Sequence, residues 1–377
     1  MFFEIMDMPV HVGVLWPSQD AARNCPKGDI ELAFCNTCGF ISNLAFDPTR
    51  VQYSQEYDNS LDFSPLFQQH VRSLAMRLID RNDLHNKSVI EIGCGKGNFL
   101  KLLCELGNNR GVGFDPSYES QDFDSKASRS VTFVRDFYSE RYSNYEGDLI
   151  CCRHVLEHIH KPTDFLTMLR SAIGNRLDSI VYFEVPNVHL ILRSLSIWDI
   201  IYEHCSYFSP GSLAHVFESC GFKILELNET FDYQFIGIDA LPCKDGNASA
   251  FDYLYEIKKI ALYVDAFSSN YRAKIQTWRS NLEKIVKAAK RAVAWGGGAK
   301  AVGFLNMLKI QDHIKYVVDI NPNKHGKYIA GTGQKIVSPE FLRAYQPDVV
   351  IIMNPIYKSE IQQHLNRLGL TTDFMCA

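Results

Sequence analysis

The sequence predicts an α/β fold: a parallel sheet covered on both faces, with a second, smaller α/β unit behind it. Three observations carry this. From residue 88 onward, short apolar runs alternate with helical patterns. Two glycine-rich stretches, 93–97 and 296–298, each follow an apolar run and open a helical one. Between them, residues 249–290 hold no Gly or Pro and space Ile, Leu, Tyr and Trp regularly among mixed charges.

Taken in order, the first sixty residues carry scattered Pro and Gly and predict an irregular segment whose main feature is Cys35-Asn36-Thr37-Cys38-Gly39. Ser64-Pro65 is a helix start, a capping residue followed by proline at the first helical position. Phe67, Val71, Leu74, Ala75, Leu78 and Ile79 then recur at helical spacing. Strands are expected at 88–92, 111–114, 131–134, 148–152 and 179–184, and helices at 98–106 and 162–173. The runs at 223–227 and 233–238 are read as antiparallel additions at the sheet edge. Residues 249–290 form one long or two consecutive helices, followed by strands at 291–295, 315–320 and 348–353. The length of 377 residues allows two or three domains at roughly 100–200 residues each. The divisions are 1–62, 63–245 and 246–377.

Composition narrows the function classes. Hydrophobic residues at 46% and charged residues at 22% are the balance of a globular chain, which excludes collagen, coiled coil and wholesale disorder. A net charge of −4 supplies no electrostatic pull toward nucleic acid or an anionic membrane, so neither is expected as a partner. Eleven scattered cysteines, two adjacent at Cys151-Cys152, do not read as a disulfide framework. The N-terminus lacks the pattern of a signal peptide, and no apolar run reaches the roughly 20 residues that span a bilayer. The expectation is a cytoplasmic protein acting on a small molecule.

The strongest motif is Glu91-Ile92-Gly93-Cys94-Gly95-Lys96-Gly97, an apolar strand running through glycines into a helix. Glycines permit the tight turn and let a ligand lie against bare backbone at the helix N-terminus. Asp115 ends the next strand, where a carboxylate can accept ribose hydroxyls. The glycine spacing, with Glu91 two residues before Gly93, resembles motif I of class I S-adenosylmethionine-dependent methyltransferases. That resemblance implies a Rossmann-like core with S-adenosylmethionine as cofactor. Glu91 then lies near the ligand's amino acid end, and Asp136 and Phe137 lie beside its adenine.

Further segments resemble one branch of these enzymes. Arg153-His154-Val155-Leu156-Glu157-His158-Ile159, Glu184-Val185-Pro186 and Ile201-Tyr202-Glu203-His204-Cys205-Ser206-Tyr207-Phe208-Ser209 are similar to segments of the sugar C-methyltransferase family. The resemblance implies an N-terminal zinc-binding domain, a methyltransferase core and a second Rossmann-like C-terminal domain. It also implies methylation of a carbon beside a ketone in a nucleoside-diphosphate-linked deoxysugar. Such a carbon becomes nucleophilic only on losing a proton, which calls for a base near neutrality, and histidine is the natural choice. His204 matches the family's base and His158 a second active-site histidine. Tyr202 is expected to donate to the enolate oxygen, Glu203 to orient or bind the sugar, and Tyr57 to reach over it. His154 is expected on the cofactor side. The glycines and histidines leave methylation of oxygen or nitrogen on another small molecule open.

Two expectations concern the ends. The family's zinc domain uses two Cys pairs, of which Cys35 and Cys38 supply one. Cys25 and His11 lack the spacing to replace the other, so a closed tetrahedral zinc site is not expected. The second loop, Trp295-Gly296-Gly297-Gly298-Ala299-Lys300-Ala301, also satisfies a Gly-x-Gly-x-x-Ala pattern, which keeps an NAD-dependent oxidoreductase as the rival reading. The family resemblance instead makes this a substrate-holding loop, with Gly296, Gly298 and Lys300 against a sugar nucleotide's diphosphate.

Overall fold

The computed structural model describes residues 1–51, 58, 60–119, 130–244, 252–310 and 313–377. Tyr57 lies outside the described residues. The chain begins with β1 (Phe3–Pro9), the short helix α1 (Gln19–Arg23), β2 (Lys27–Phe34) and β3 (Ile41–Asn43). The expectation of an irregular start is thereby corrected. Gly28, Ile30 and Leu32 alternate with more exposed residues along β2, a half-buried strand pattern interrupted in sequence only by its charges.

The middle of the chain supplies α2 (Pro65–Asn82), β4 (Ser88–Ile92), α3 (Asn98–Gly107), β5 (Arg110–Phe114), β6 (Val131–Val134) and β7 (Leu149–Arg153). Next come α4 (Pro162–Ile173), β8 (Ile180–Pro186), α5 (Val188–Ser194), β9 (Ser206–Tyr207), α6 (Pro210–Ser219), β10 (Phe222–Thr230) and β11 (Phe235–Pro242). The Ser64 hydroxyl caps α2 by accepting from the Phe67 amide at 3.3 Å, with Pro65 at the first position, as the sequence signal requires.

Seven of these strands form one sheet in the order β10-β11-β8-β7-β4-β5-β6. It is parallel from β8 to β6, and β11 runs antiparallel to both its neighbours. Alternate residues enter opposite cores. Ile90, Ile150 and Cys152 pack with α4 and α6, whereas Val89, Leu149 and Cys151 pack with α2 and α3. The adjacent thiols Cys151 and Cys152 are therefore buried on the two faces of one strand.

The remaining residues form α7 (Tyr253–Lys287), β12 (Ala292–Trp295), α8 (Ala299–Met307), β13 (Ile314–Val318), β14 (Lys335–Val337), α9 (Leu342–Tyr345), β15 (Val349–Ile352), α10 (Lys358–Arg367) and β16 (Asp373–Cys376). Within the Gly- and Pro-free stretch, Tyr253–Lys287 is one helix. The five strands make an all-parallel sheet, β14-β13-β12-β15-β16. The first sheet is β1-β2-β3-β9, so β9 leaves the middle sheet and pairs with β3 through Ile41↔Tyr207 and Ser42↔Ser206.

The N-terminal sheet shares its core with the C-terminal one. Phe3, Ile30 and Leu32 lie in one buried cluster with Phe267, Tyr271, Ala294 and Phe304. The Phe3 ring sits 5.7 Å from Phe267 and 4.9 Å from Tyr271. Among the described residues, no helix is long and apolar enough to cross a membrane.

Candidate active site

Two clusters meet at the carboxyl ends of β4, β5, β7 and β8. The first is the turn from β4 into α3. Gly93, Gly95 and Gly97 have φ of +71°, +52° and +75°, a region in which an L side chain is strained. A Cβ on Gly97 would lie 2.3 Å from the Phe133 ring, whereas one on Gly95 would meet nothing within 4 Å. Gly97 is thus needed for packing, and Gly95 exposes bare backbone to open space. The Gly95 amide donates to Asp115 Oδ2 at 2.8 Å, and Asp115 Oδ1 accepts from the Ser117 amide at 2.8 Å and its hydroxyl at 2.6 Å. Gly97, at the N-cap of α3, offers no side chain to its first-turn amides, and the Leu100 amide is turned to Glu91. Glu91 is buried, its Oε2 has no hydrogen-bond partner among the described residues, and burial pushes its pKa up to about 8. Asp136 Oδ1 accepts from the Phe137 amide and Oδ2 from the Tyr142 hydroxyl, while the Phe137 ring is 65% exposed beside them.

The second cluster is built on β7 and β8. His154 follows β7 in the left-handed region at φ +56°, and its amide donates to Glu184 O at 2.8 Å. Its Nε2 lies 3.2 Å from Glu184 Oε1. Glu184 is wholly buried. Burial alone would raise its pKa, but Arg153 at 2.9 Å, with His154 and His70, holds the carboxyl well below the usual range. His158 ends a short 3-10 turn, and its Nδ1 lies 3.1 Å from Glu203 O. A carbonyl only accepts, so Nδ1 carries the proton and Nε2 is the basic atom. The His204 ring stands edge-on to His158, with centroids 4.9 Å apart. One ligating atom each from Glu157, His158 and His204 lie within 4.8 Å of one another. Burial lowers the pKa of His158; burial, then His158 and His154, drive that of His204 well below the ordinary histidine value. Burial pushes Glu157 up to about 8. At neutral pH the cluster holds two neutral imidazoles beside a protonated carboxyl.

Residues 67–227 match a family described as a methyltransferase domain, and residues 254–374 match one described as a C-methyltransferase C-terminal domain. The chain is an S-adenosylmethionine-dependent methyltransferase. The C-methyltransferase NovU of Streptomyces niveus is 25% identical over 315 residues, spanning 78% of this chain and 72% of that protein. A ubiquinone biosynthesis O-methyltransferase of Colwellia psychrerythraea is 22% identical over 198 residues, 46% of this chain and 80% of its own. Among solved structures, magnesium protoporphyrin IX methyltransferase from Synechocystis with bound SAH aligns with a TM-score of 0.35 at 16% identity, over 47% of this chain and 84% of that one. The NAD-dependent oxidoreductase reading gives way to this assignment.

The methyltransferase's fold is the Rossmann-like arrangement expected of the class, and the bare backbone at Gly95, the uncapped α3 and the unpartnered Glu91 oxygen fit S-adenosylmethionine. Other expected site residues lie elsewhere. Tyr202 is 1% exposed, and its hydroxyl accepts from the Asp47 amide at 3.0 Å. Its ring lies so close under β2 that a Cβ on Gly28 would come within 2.3 Å. Glu203 is wholly buried, with Oε1 3.2 Å from His11 Nδ1 and Oε2 accepting from the Val12 amide at 3.2 Å. The Tyr202 and Glu203 side chains therefore brace the N-terminal sheet, while the Glu203 carbonyl reaches His158.

The second glycine loop is also wired internally. The Gly297 amide donates to Asp319 Oδ2 at 2.7 Å, and Lys324 Nζ donates to Gly297 O at 3.2 Å. Lys300 is bound to both oxygens of Asp199, so the expected diphosphate lysine is already engaged by a residue of its own chain. Gly296 and Gly298 bracket Gly297, which lines a narrow cleft with Val12, Gly13 and Asp58.

At the N-terminal sheet, Cys35 is exposed and Cys38 half-buried in a tight turn closed by the Gly39 amide donating to Cys35 O at 2.9 Å. The amides of Thr37 and Cys38 lower the Cys35 thiol pKa, and burial raises that of Cys38. Cys25 is buried, and His11 Nδ1 lies 3.2 Å from Glu203 Oε1. Glu157, Arg153 and His70 went unassigned in the sequence. The available signal was ionisable residues placed at the ends of otherwise apolar strands, or on an otherwise apolar helix face.

Proposed function

We propose that this enzyme methylates a carbon beside a ketone in a nucleoside-diphosphate-linked deoxysugar, with His204 as the base. The observation that carries the reading is the edge-on His158–His204 pair beside the glycine loop. The match to a C-methyltransferase C-terminal domain supports carbon as the acceptor. When bound, S-adenosylmethionine supplies an electrophilic methyl group. The chain's part is to seat it at Glu91, Gly93, Gly95 and Gly97, with Asp115 toward the ribose and Asp136 and Phe137 toward the adenine. Burial keeps His204 neutral at physiological pH but also weakens it as a base, so the proton it takes from the carbon is held only with the enolate's negative charge formed beside it. His158 is fixed in one tautomer by the Glu203 carbonyl, and Glu157 lies beside the pair. The cleft at Gly297, between Gly296 and Gly298, is where the nucleotide end of the acceptor would lie. We read the chain as three units, 1–62, 63–245 and 246–377, in a reducing cytoplasm that suits eleven scattered thiols.

The test is deuterium exchange from solvent into a panel of nucleotide 4-keto-deoxysugars, followed by locating the methyl group in the product by NMR. His204→Ala is expected to slow exchange by about a hundredfold or more, while S-adenosylhomocysteine still binds. Wild-type exchange in that variant removes His204 from the chemistry. A methyl group found on oxygen or nitrogen overturns the carbon reading.

A further inference from the structure

We infer that Asp58 is a positioning residue that ties the S-adenosylmethionine loop to the C-terminal glycine loop, so that the wiring of one sets the ligand affinity of the other. The inference rests on residues 93–97 being the cofactor seat and is independent of which acceptor is methylated.

Asp58 is 7% exposed, and its amide donates to Gly13 O at 2.8 Å. Its carboxylate reaches both loops. Oδ2 accepts from Lys96 Nζ at 2.7 Å and from Asn323 Nδ2 at 3.1 Å. Oδ1 accepts from Asn321 Nδ2 at 3.3 Å and from the Ser60 amide at 3.1 Å. Lys96 lies between Gly95 and Gly97, both at positive φ, so it is the side chain by which that part of the turn can be held from outside. On the other side, the Asn321 amide donates to Asp319 Oδ1 at 2.8 Å, and Asp319 Oδ2 holds the Gly297 amide. A continuous hydrogen-bonded path thus runs from the first loop through Lys96, Asp58, Asn321 and Asp319 to the second.

The two loops belong to sheets that share no strand, so this path is a direct polar connection between them. Burial opposes ionisation of Asp58, but Lys96, the Ser60 amide and Asn323 outweigh it and keep its pKa low. The charge is therefore present at neutral pH, and losing its partners on either side leaves a buried carboxylate underbonded. A network of this kind couples distant substitutions non-additively.

The experiment titrates S-adenosylhomocysteine into the full chain by calorimetry, with a melting curve for each variant. Asn321→Ala combined with Asn323→Ala changes only the C-terminal side, yet is expected to weaken binding about fivefold to tenfold. Asp58→Asn is expected to weaken it by about tenfold. Adding the two asparagine substitutions to Asp58→Asn should then cost nothing further. Lys96→Met cuts the same link from the loop side and should match Asp58→Asn, with Lys96→Arg restoring affinity. The inference is overturned if the asparagine variant binds within about twofold of wild type, or if its loss multiplies with that of Asp58→Asn.

Discussion

After β4 and again after β12 the chain makes the same connection with different outcomes. The first glycine amide donates to the end of the neighbouring strand at 2.8 Å in both, Gly93 to Phe114 O and Gly296 to Val318 O. An aspartate closing that neighbouring strand then takes a loop amide on one oxygen, Gly95 to Asp115 and Gly297 to Asp319. Its other oxygen takes the amide two residues on, from Ser117 or Asn321, at 2.8 Å. The surroundings differ. Two residues before the first glycine stands Glu91 in one loop and Ala294 in the other. Gly95 faces open space, whereas Lys324 sits on Gly297 and α8 is pressed by Gly303 against the Trp198 backbone. The glycine pattern thus reports how a strand turns into a helix, and the groups opposite the turn decide what can enter it.

Three substitutions would sharpen or break that contrast. Gly95→Leu has the largest expected effect, because it strains a left-handed residue and fills the open face. S-adenosylhomocysteine affinity should fall about a thousandfold, roughly 4 kcal/mol, in a protein that still melts cooperatively. Unchanged affinity would mean that the ligand does not lie on this backbone. Asp319→Ala probes the other loop. It removes the acceptor of two amides and the carboxylate 3.6 Å from the buried Lys324 ammonium. A loss of about 3 kcal/mol in stability is expected. Affinity for S-adenosylhomocysteine should fall by no more than the tenfold that the Asp58 link transmits. Loss of binding with an unchanged melting curve would reverse the roles of the two loops.

The effect that vanishes at acid pH belongs to Glu91→Gln. The folded-state pKa of Glu91, about 8, lies above the ordinary carboxyl value of 4.5. The folded protein keeps a proton that the unfolded chain releases, so this group costs stability as pH rises from about 4.5 to 8. The Gln variant should match wild type near pH 4.5 and gain roughly 4 kcal/mol by pH 8, read from urea unfolding at both values. Equal pH slopes would show that Glu91 does not titrate as a buried acid, and the difference from Ala294 would lose its meaning.

What could be read in advance was local. The strands at 88–92 and 131–134 and the helix at 162–173 coincide with β4, β6 and α4, because periodicity, proline and glycine act within a few residues. The N-terminal sheet was illegible because β3 finds its partner in the two-residue strand β9, whose pairing depends on residues more than 160 positions away. The same distance hid the bond between His11 and Glu203. Within the site, His158 and His204 were expected from their chemistry, but that their rings stand side by side, and the direction of each side chain in 202–204, was not legible. Adjacent letters say nothing about which of them meets His158. Lys300 makes a related point: its cationic end suits a phosphate, and only the fold shows Asp199 beside it.

The core shared by the chain's two ends bears on synthesis. β1 and β2 leave the ribosome before the middle sheet, yet Phe3 finds its aromatic partners on α7, at Phe267 and Tyr271. Those partners emerge some 260 residues later. At about 5–20 residues per second, the apolar face of the first sheet waits many seconds for its cover. During that interval the middle sheet, whose strands lie close together in sequence, can close by itself. The nascent chain then carries a closed middle sheet with the apolar face of the first sheet still exposed N-terminal to it.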